Sequence, residues 1–221
     1  MEIEHCEFPE DRLYDLENNV WVKLDERNIA TIGITSIHAA LAGRLKQVQF
    51  KIVGGLFERG RAVATIESLR YFGAVRTPLT GVLLEANLVL GADPNAANDQ
   101  PYNEGWFVRI QPTRLDHELQ ATIQPGAAKE KIRSMIRELR VRCFKAFPDH
   151  EMWEVGVECA AALVRLNDLM RGIEVNDVVH VVSDDPTADI EMVRWSDQTG
   201  QELLESRWEG KLAHFIVRKV K

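Results

Sequence analysis

Cysteine is scarce in this chain: Cys6, Cys143 and Cys159 are the only three among 221 residues, and no Cys-x-x-Cys pair occurs. An odd and small number rules out a disulfide framework, so reduced thiols are the expected state. The six histidines (His5, His38, His117, His150, His180 and His214) have no ligand spacing to one another or to cysteine, and no metal site is predicted. No apolar run approaches the ~20 residues that a membrane helix needs. The opening Met1-Glu2-Ile3-Glu4-His5 offers neither a basic nor an apolar leader segment, so a cytoplasmic protein without membrane contact is expected. A basic stripe is also missing: the net charge is −7 and the Lys and Arg residues are scattered. Nucleic acid, which needs a positive footprint, is therefore not an expected partner.

What the chain does have is a globular balance, 45% hydrophobic and 28% charged residues, enough apolar surface to offset chain entropy with a packed core. From Asn19 to about Ile110 short β-like runs alternate with Gly, Pro and Asn. Strands are predicted at residues 20–23, 29–34, 46–52, 62–66, 81–86 and 106–110, with turns at Gly54-Gly55, Arg59-Gly60 and Thr80-Gly81. A short helix is predicted at residues 36–42, ended by Gly43. From Ala127 the period changes. Ile132, Met135, Ile136, Leu139 and Cys143 form one apolar stripe, which predicts a helix of four to five turns with Cys143 packed as an inert small hydrophobe.

After Phe147-Pro148-Asp149 the order is strand 152–155, helix 160–171 ended by Gly172, strand 178–183, then a helix to about Gln198 that is introduced by Asp184-Asp185-Pro186 and stopped by Gly200. Strands 202–208 and 212–219 follow, turning at Glu209-Gly210. The expected class is α+β in three parts: residues 1–125, a connecting helix and linker at 126–150, and a β-α-β-α-β-β domain at 151–221 whose helices cover one face of a small sheet in a two-layer sandwich.

The first half carries Phe8-Pro9-Glu10-Asp11, Val20-Trp21-Val22, Gly33-Ile34-Thr35, Ala42-Gly43, Gly54, Arg59-Gly60, Ile66-Glu67-Ser68, Thr77-Pro78, Gly81, Pro101-Tyr102 and Glu104-Gly105-Trp106 in order. On these residues it resembles the glycine-cleavage H proteins and their lipoate-binding relatives, and the resemblance implies a lipoyl-type β barrel-sandwich hybrid. In such families a tight hairpin after the Glu-Ser segment presents the lysine that receives lipoate. The matching position here is Arg70. A guanidinium stays protonated and its nitrogens are delocalised, so arginine cannot form the lipoyl amide. No lysine lies between Lys51 and Lys129. No lipoate cofactor is therefore expected. Arg70 reads either as a solvated turn residue or, with Arg76 across the hairpin, as a cation that grips a partner's carboxylate.

Residues 152–219 resemble the TusA (SirA-like) sulfur carriers, on Gly156, Cys159 and the helix after it, Ser183-Asp184-Asp185-Pro186 and Ile216-Val217-Arg218-Lys219. The resemblance makes Cys159 the candidate persulfide carrier. A thiol at a helix N-terminus faces unpaired N–H groups and the positive end of the macrodipole, which favour thiolate. The family's Cys-Pro-x-Pro appears here as Cys159-Ala160-Ala161-Ala162, and Glu158 adds an opposing charge. Cys159 as carrier and Cys159 as structural thiol both remain open, and Cys6, in an N-terminal segment expected to be mobile, is a lesser exposed thiol.

The tryptophans Trp21, Trp106, Trp153, Trp195 and Trp208 are spread over both halves, as packing residues would be. Glu67 and Glu104 have no neighbouring nucleophile to complete an acid–base site. His180, inside a valine-rich strand, is read as a satisfied or edge histidine. The expectation is a carrier rather than a catalyst: sulfur relay through Cys159, or non-covalent docking through the hairpin. Candidate partners are sulfurtransferases and lipoate-dependent or sulfur-oxidation enzymes.

Overall fold

Alternating β-branched and polar residues drive the first half into short strands. In this computed structural model, which describes residues 1–221, the chain divides into two units, Met1–Cys143 and Phe144–Lys221. The strands of the first unit are β1 (Glu2–Ile3), β2 (Cys6–Glu7), β3 (Leu13–Asp15), β4 (Val20–Leu24), β5 (Ala30–Ile34), β6 (Leu45–Phe50), β7 (Leu56–Phe57), β8 (Ala62–Ser68), β9 (Phe72–Arg76), β10 (Gly81–Ala86) and β11 (Trp106–Pro112). They form a six-stranded sheet in the order β3-β4-β5-β11-β10-β7, a three-stranded sheet β6-β8-β9, and the small β1-β2 ribbon. Its helices are α1 (Ser36–Ala42), the single turns α2 (Val89–Ala92), α3 (Ala96–Asp99) and α4 (Leu115–Glu118), and α5 (Lys129–Glu138).

Helix α1 ends where Gly43 adopts φ 72° and donates its N–H to Ala39 O, a left-handed exit that glycine accepts without strain. Helix α5 buries Ile132 and Ile136 against Ile3, Phe8, Tyr14 and Trp21, each burial stabilising by roughly 1.5–3 kcal/mol. It is shorter than its apolar stripe predicts. Arg140 turns to φ 52°, and Val141 donates back to Ile136 O at 2.9 Å, closing the helix end and redirecting the chain.

That turn corrects the cysteine expectations. Cys143 lies beyond the helix and is joined to Cys6 by a disulfide with Cα atoms 5.0 Å apart. Cys6 is fully buried, not part of a loose tail. Both thiols were expected reduced because spacing along the sequence carries no sign of a pair 137 residues apart. A loop of that length, closed covalently, removes about 5 kcal/mol of unfolded-state entropy in the chain-entropy model.

The second unit contains β12 (His150–Glu154), α6 (Cys159–Gly172), β13 (Val178–Ser183), α7 (Ala188–Thr199), β14 (Glu202–Glu209) and β15 (Leu212–Arg218). Its sheet runs β12-β13-β15-β14, with β12 and β13 parallel and the other pairs antiparallel. Met152, Val179, Val181, Ala213, Phe215 and Val217 share one face and pack against Ala162, Leu166, Met170, Met192 and Trp195 of the two helices. Both units mix sheets with helices, an α+β chain. No helix is long and apolar enough to cross a membrane.

Candidate functional site

The β8-β9 hairpin places Leu69, Arg70 and Tyr71 at its apex, closed by Ser68 N–H to Tyr71 O at 2.9 Å. Leu69 is 92% and Phe72 73% exposed, two apolar side chains that water would ordinarily disfavour. The apex is tied back to α1 at three points. Ser68 Oγ donates to Ala42 O at 2.6 Å. The Arg70 guanidinium lies against Gly43, where a Cβ would meet its Nε at 3.4 Å. The Tyr71 hydroxyl meets His38 Nε2 at 3.3 Å. The Tyr71 ring also covers Gly73, where any Cβ would come within 2.4 Å of it.

His38 is the residue that sequence reading passed over. It is buried on the inner face of α1, and desolvation pulls its pKa down to about 4, against a smaller upward effect of the Asn19 backbone carbonyl. Its Nδ1 has no hydrogen-bond partner. The imidazole is thus neutral at ordinary pH. An alternation count shows only that position 38 faces inward, not that Tyr71 will reach it.

Arg76 does not assist Arg70. It pairs with Ala62 at the opposite end of the hairpin and donates to Gly60 O at 2.8 Å, so the joint grip expected of the two arginines is not formed. No lysine stands at the apex, but Lys46 lies on β6, opposite the end of β8 that leads into it. Lys46 is exposed at an irregularity of β6 where Leu45 pairs Ser68 and Gln47 pairs Glu67. Its neighbourhood comes from strand pairing and was invisible in a search along the chain.

The second predicted residue, Cys159, is the first residue of α6, and its surroundings oppose thiolate. The free N–H groups assumed at this helix end are partly taken. Asp185 Oδ2 accepts from Cys159 N–H at 2.8 Å, while its Oδ1 accepts from Thr187 N–H and hydroxyl. Those three hydrogen bonds hold the Asp185 carboxyl below its usual range. The thiol is 6% exposed and lines a small apolar cavity with Ala162, Leu166, Val181, Met192 and Phe215. Burial, then Asp185, then Glu191 push its pKa up. Burial first, and then the carboxylate at the positive helix end, work against the helix activation expected of this thiol. The opposing charges are Asp185 and Glu191 rather than the adjacent Glu158.

On the other face of the same sheet, His180 Nε2 and His214 Nδ1 are 2.9 Å apart with their rings stacked, and Phe144 packs on His180. His180 is therefore a satisfied buried histidine.

Comparison with known proteins places the first unit. The family model described as "Glycine cleavage H-protein" matches residues 12–135, more than half of the chain. The chain is 36% identical over 146 residues to "Glycine cleavage system H protein 5" of Aquifex aeolicus, covering 64% of this chain and 98% of the relative. It is 34% identical over 138 residues to "Glycine cleavage system H protein 2" of the same organism, at 62% and 86% coverage. Identity to "Probable glycine cleavage system H protein 2" of Sulfurisphaera tokodaii is 33% over 143 residues, at 64% and 96% coverage. Among solved structures, a glycine cleavage system H protein from Mycobacterium marinum is 25% identical with a TM-score of 0.46, covering 51% of this chain and 97% of that one.

Proposed function

The chain belongs to the glycine cleavage H-protein family, and from that premise we propose that its first unit docks to partner enzymes through the β8-β9 apex without carrying lipoate. The observation behind this reading is Arg70 at the apex, laid against the end of α1 between two exposed apolar side chains. A carrier hairpin keeps its recognisable shape here while its acyl acceptor is replaced by a group that cannot be acylated. Leu69 and Phe72 supply apolar contact, and Arg70 supplies donors for a carboxylate. The partners are proteins, with lipoate-dependent and sulfur-handling enzymes as the classes to try, in a cytoplasmic setting.

The test is to incubate the full chain with a lipoate–protein ligase, lipoate and ATP, then to map peptides by mass. No lipoyl group on any lysine is expected. A lipoyl group on Lys46 or elsewhere would return the chain to the ordinary shuttle role and overturn the proposal.

A second reading draws on the TusA-like pattern of residues 152–219 and assigns persulfide relay to Cys159. Its support is the position of that cysteine, first in a helix that follows a strand. It requires the thiol to leave its apolar surroundings and the flank of Asp185 before it meets a donor. Exposure to a sulfurtransferase and sulfur donor, followed by mass analysis, decides it: one added sulfur on Cys159 supports relay, and an unchanged mass ends it.

A further inference from the structure

We propose that the outer edge of β9 is a self-association surface: two copies of this chain pair their β9 strands antiparallel about a two-fold axis at Ala74, which joins two three-stranded sheets into one of six strands. Three features of the hairpin carry the inference.

The first is an open edge. β9 pairs with β8 alone and ends the sheet β6-β8-β9. Ser68 N–H bonds Tyr71 O, and Thr77 N–H bonds Arg61 O. Bonding direction alternates along an antiparallel strand, so Tyr71, Gly73, Val75 and Thr77 face β8. Phe72, Ala74 and Arg76 therefore turn their N–H and C=O groups to the unpaired side.

The second is that this edge alone is left regular and uncommitted. Strands β1, β2 and β7 are two residues long. β3 has three residues and is bridged through Tyr14 to Ile123. β6 and β14 are irregular, between Leu45 and Gln47 and between Leu203 and Glu205. At the ends of β12, His150 is taken by Asp177 and Glu154 by Arg165. Short length and irregularity keep an edge from pairing, as do lysine and proline. β9, Phe-Gly-Ala-Val-Arg, has none of these.

The third is the register. With Ala74 facing Ala74, Phe72 of each copy stands opposite Arg76 of the other, on the same outer face. Both side chains are exposed, and Glu67, also exposed, is the β8 neighbour of Phe72. Each outer row then reads Glu67, Phe72, then the second copy's Arg76. The guanidinium lies over an apolar ring and beside a carboxylate. The two-fold axis repeats this row, so one surface is complementary to itself. Leu69 and Arg70 fall outside the paired stretch and leave both apexes open to docking; Phe72 is the one residue that both uses share. An edge of five residues buries less than the ~1,200 Å² of stable complexes, so the association is reversible and concentration-dependent.

Sedimentation equilibrium of the full chain, from about 5 µM to about 1 mM, spans the range of such weak pairs. The apparent mass should rise from 25.1 kDa towards twice that value, and amide exchange at Phe72 and Ala74, read by NMR, should slow in step. Arg76→Glu and Glu67→Arg should each weaken association by roughly tenfold, since each sets like charges together. The double variant, which exchanges the two charges, should restore it. A mass fixed at 25.1 kDa throughout, a rise in mass without slower exchange at Ala74, or a double variant no tighter than the single ones would each overturn the proposal.

Discussion

Lowering the pH from 7 towards 4.5 is expected to loosen the first unit through His38. Its folded pKa is about 4 against an ordinary 6.5. The folded state therefore binds this proton less readily than the unfolded state. For a histidine with a depressed folded pKa, the neutral form is favoured by folding. The stabilisation is complete above pH 6.5 and is lost as the pH falls towards 4. A gap of 2.5 between the two pKa values corresponds to roughly 3 kcal/mol when fully lost, and about 2 kcal/mol is lost already at pH 5. Asp11 does not confuse this window. Its carboxyl is held at about 2 by Arg12 and Lys23, so its own loss is still small at pH 4.5, on the order of 0.1 kcal/mol, and grows mainly below its ordinary pKa of 3.8. The assay is urea unfolding at several pH values, read by hydrogen-exchange mass spectrometry on peptides from residues 30–76, which report on the first unit alone. His38→Leu serves as the reference. It forfeits the bond to Tyr71, worth about 1 kcal/mol, but removes the buried Nδ1 without a partner, and its stability should be flat between pH 6.5 and 4.5. If the native chain and His38→Leu fall in parallel over that range, the assignment of the loss to His38 is wrong.

Arg70→Lys restores an amine at the apex, and incubation with a lipoate–protein ligase should then add the mass of one lipoyl group at position 70; an unmodified variant would mean that the tie to α1 itself blocks the ligase. Gly43→Ala forces a side chain into φ 72° beside the Arg70 guanidinium, and a loss of about 1–2 kcal/mol is expected in urea unfolding. Cys159 should react with iodoacetamide at pH 8 at least tenfold more slowly than a free peptide thiol, and Asp185→Asn should narrow that gap by removing the charge beside it. Equal rates in the native chain and Asp185→Asn would refute the electrostatic part of that account.

Local chemistry was legible from the sequence to the extent that a feature stays local. The α1 boundaries follow from one glycine and one turn of apolar residues, and β10 and β13 follow from uninterrupted runs between turn signals. Arg70 at a hairpin apex was legible because the segment around it matches a family pattern. Features made by pairing distant segments were not. Cys6 meets Cys143 only because α5 closes early at a non-glycine left-handed residue. Lys46 comes opposite the end of β8 only through the β6-β8 register, and His180 finds His214 only because β13 and β15 are neighbours. Helix dipole reasoning at Cys159 left out two non-local features: the burial of the thiol and Asp185, 26 residues on, which accepts from the same amide.

The two positions that the sequence resemblances single out, Arg70 and Cys159, are governed by the same physics. At the apex, a cation rests on the C-terminal end of α1, where the macrodipole is negative; at Cys159, an anion rests on the N-terminal end of α6, where it is positive. Each charge sits where helix electrostatics favour it, by typically 0.3–1 kcal/mol. Each also removes reactivity, since Arg70 replaces an acylatable amine and Asp185 disfavours the thiolate beside it. In the form described, the stabilising choice and the inert choice coincide at both sites. No displacement of Arg70 makes it an acyl acceptor, and thiolate at Cys159 would need relief from burial as well as from Asp185. Partner binding that leaves both contacts in place points instead to docking as the whole of the function.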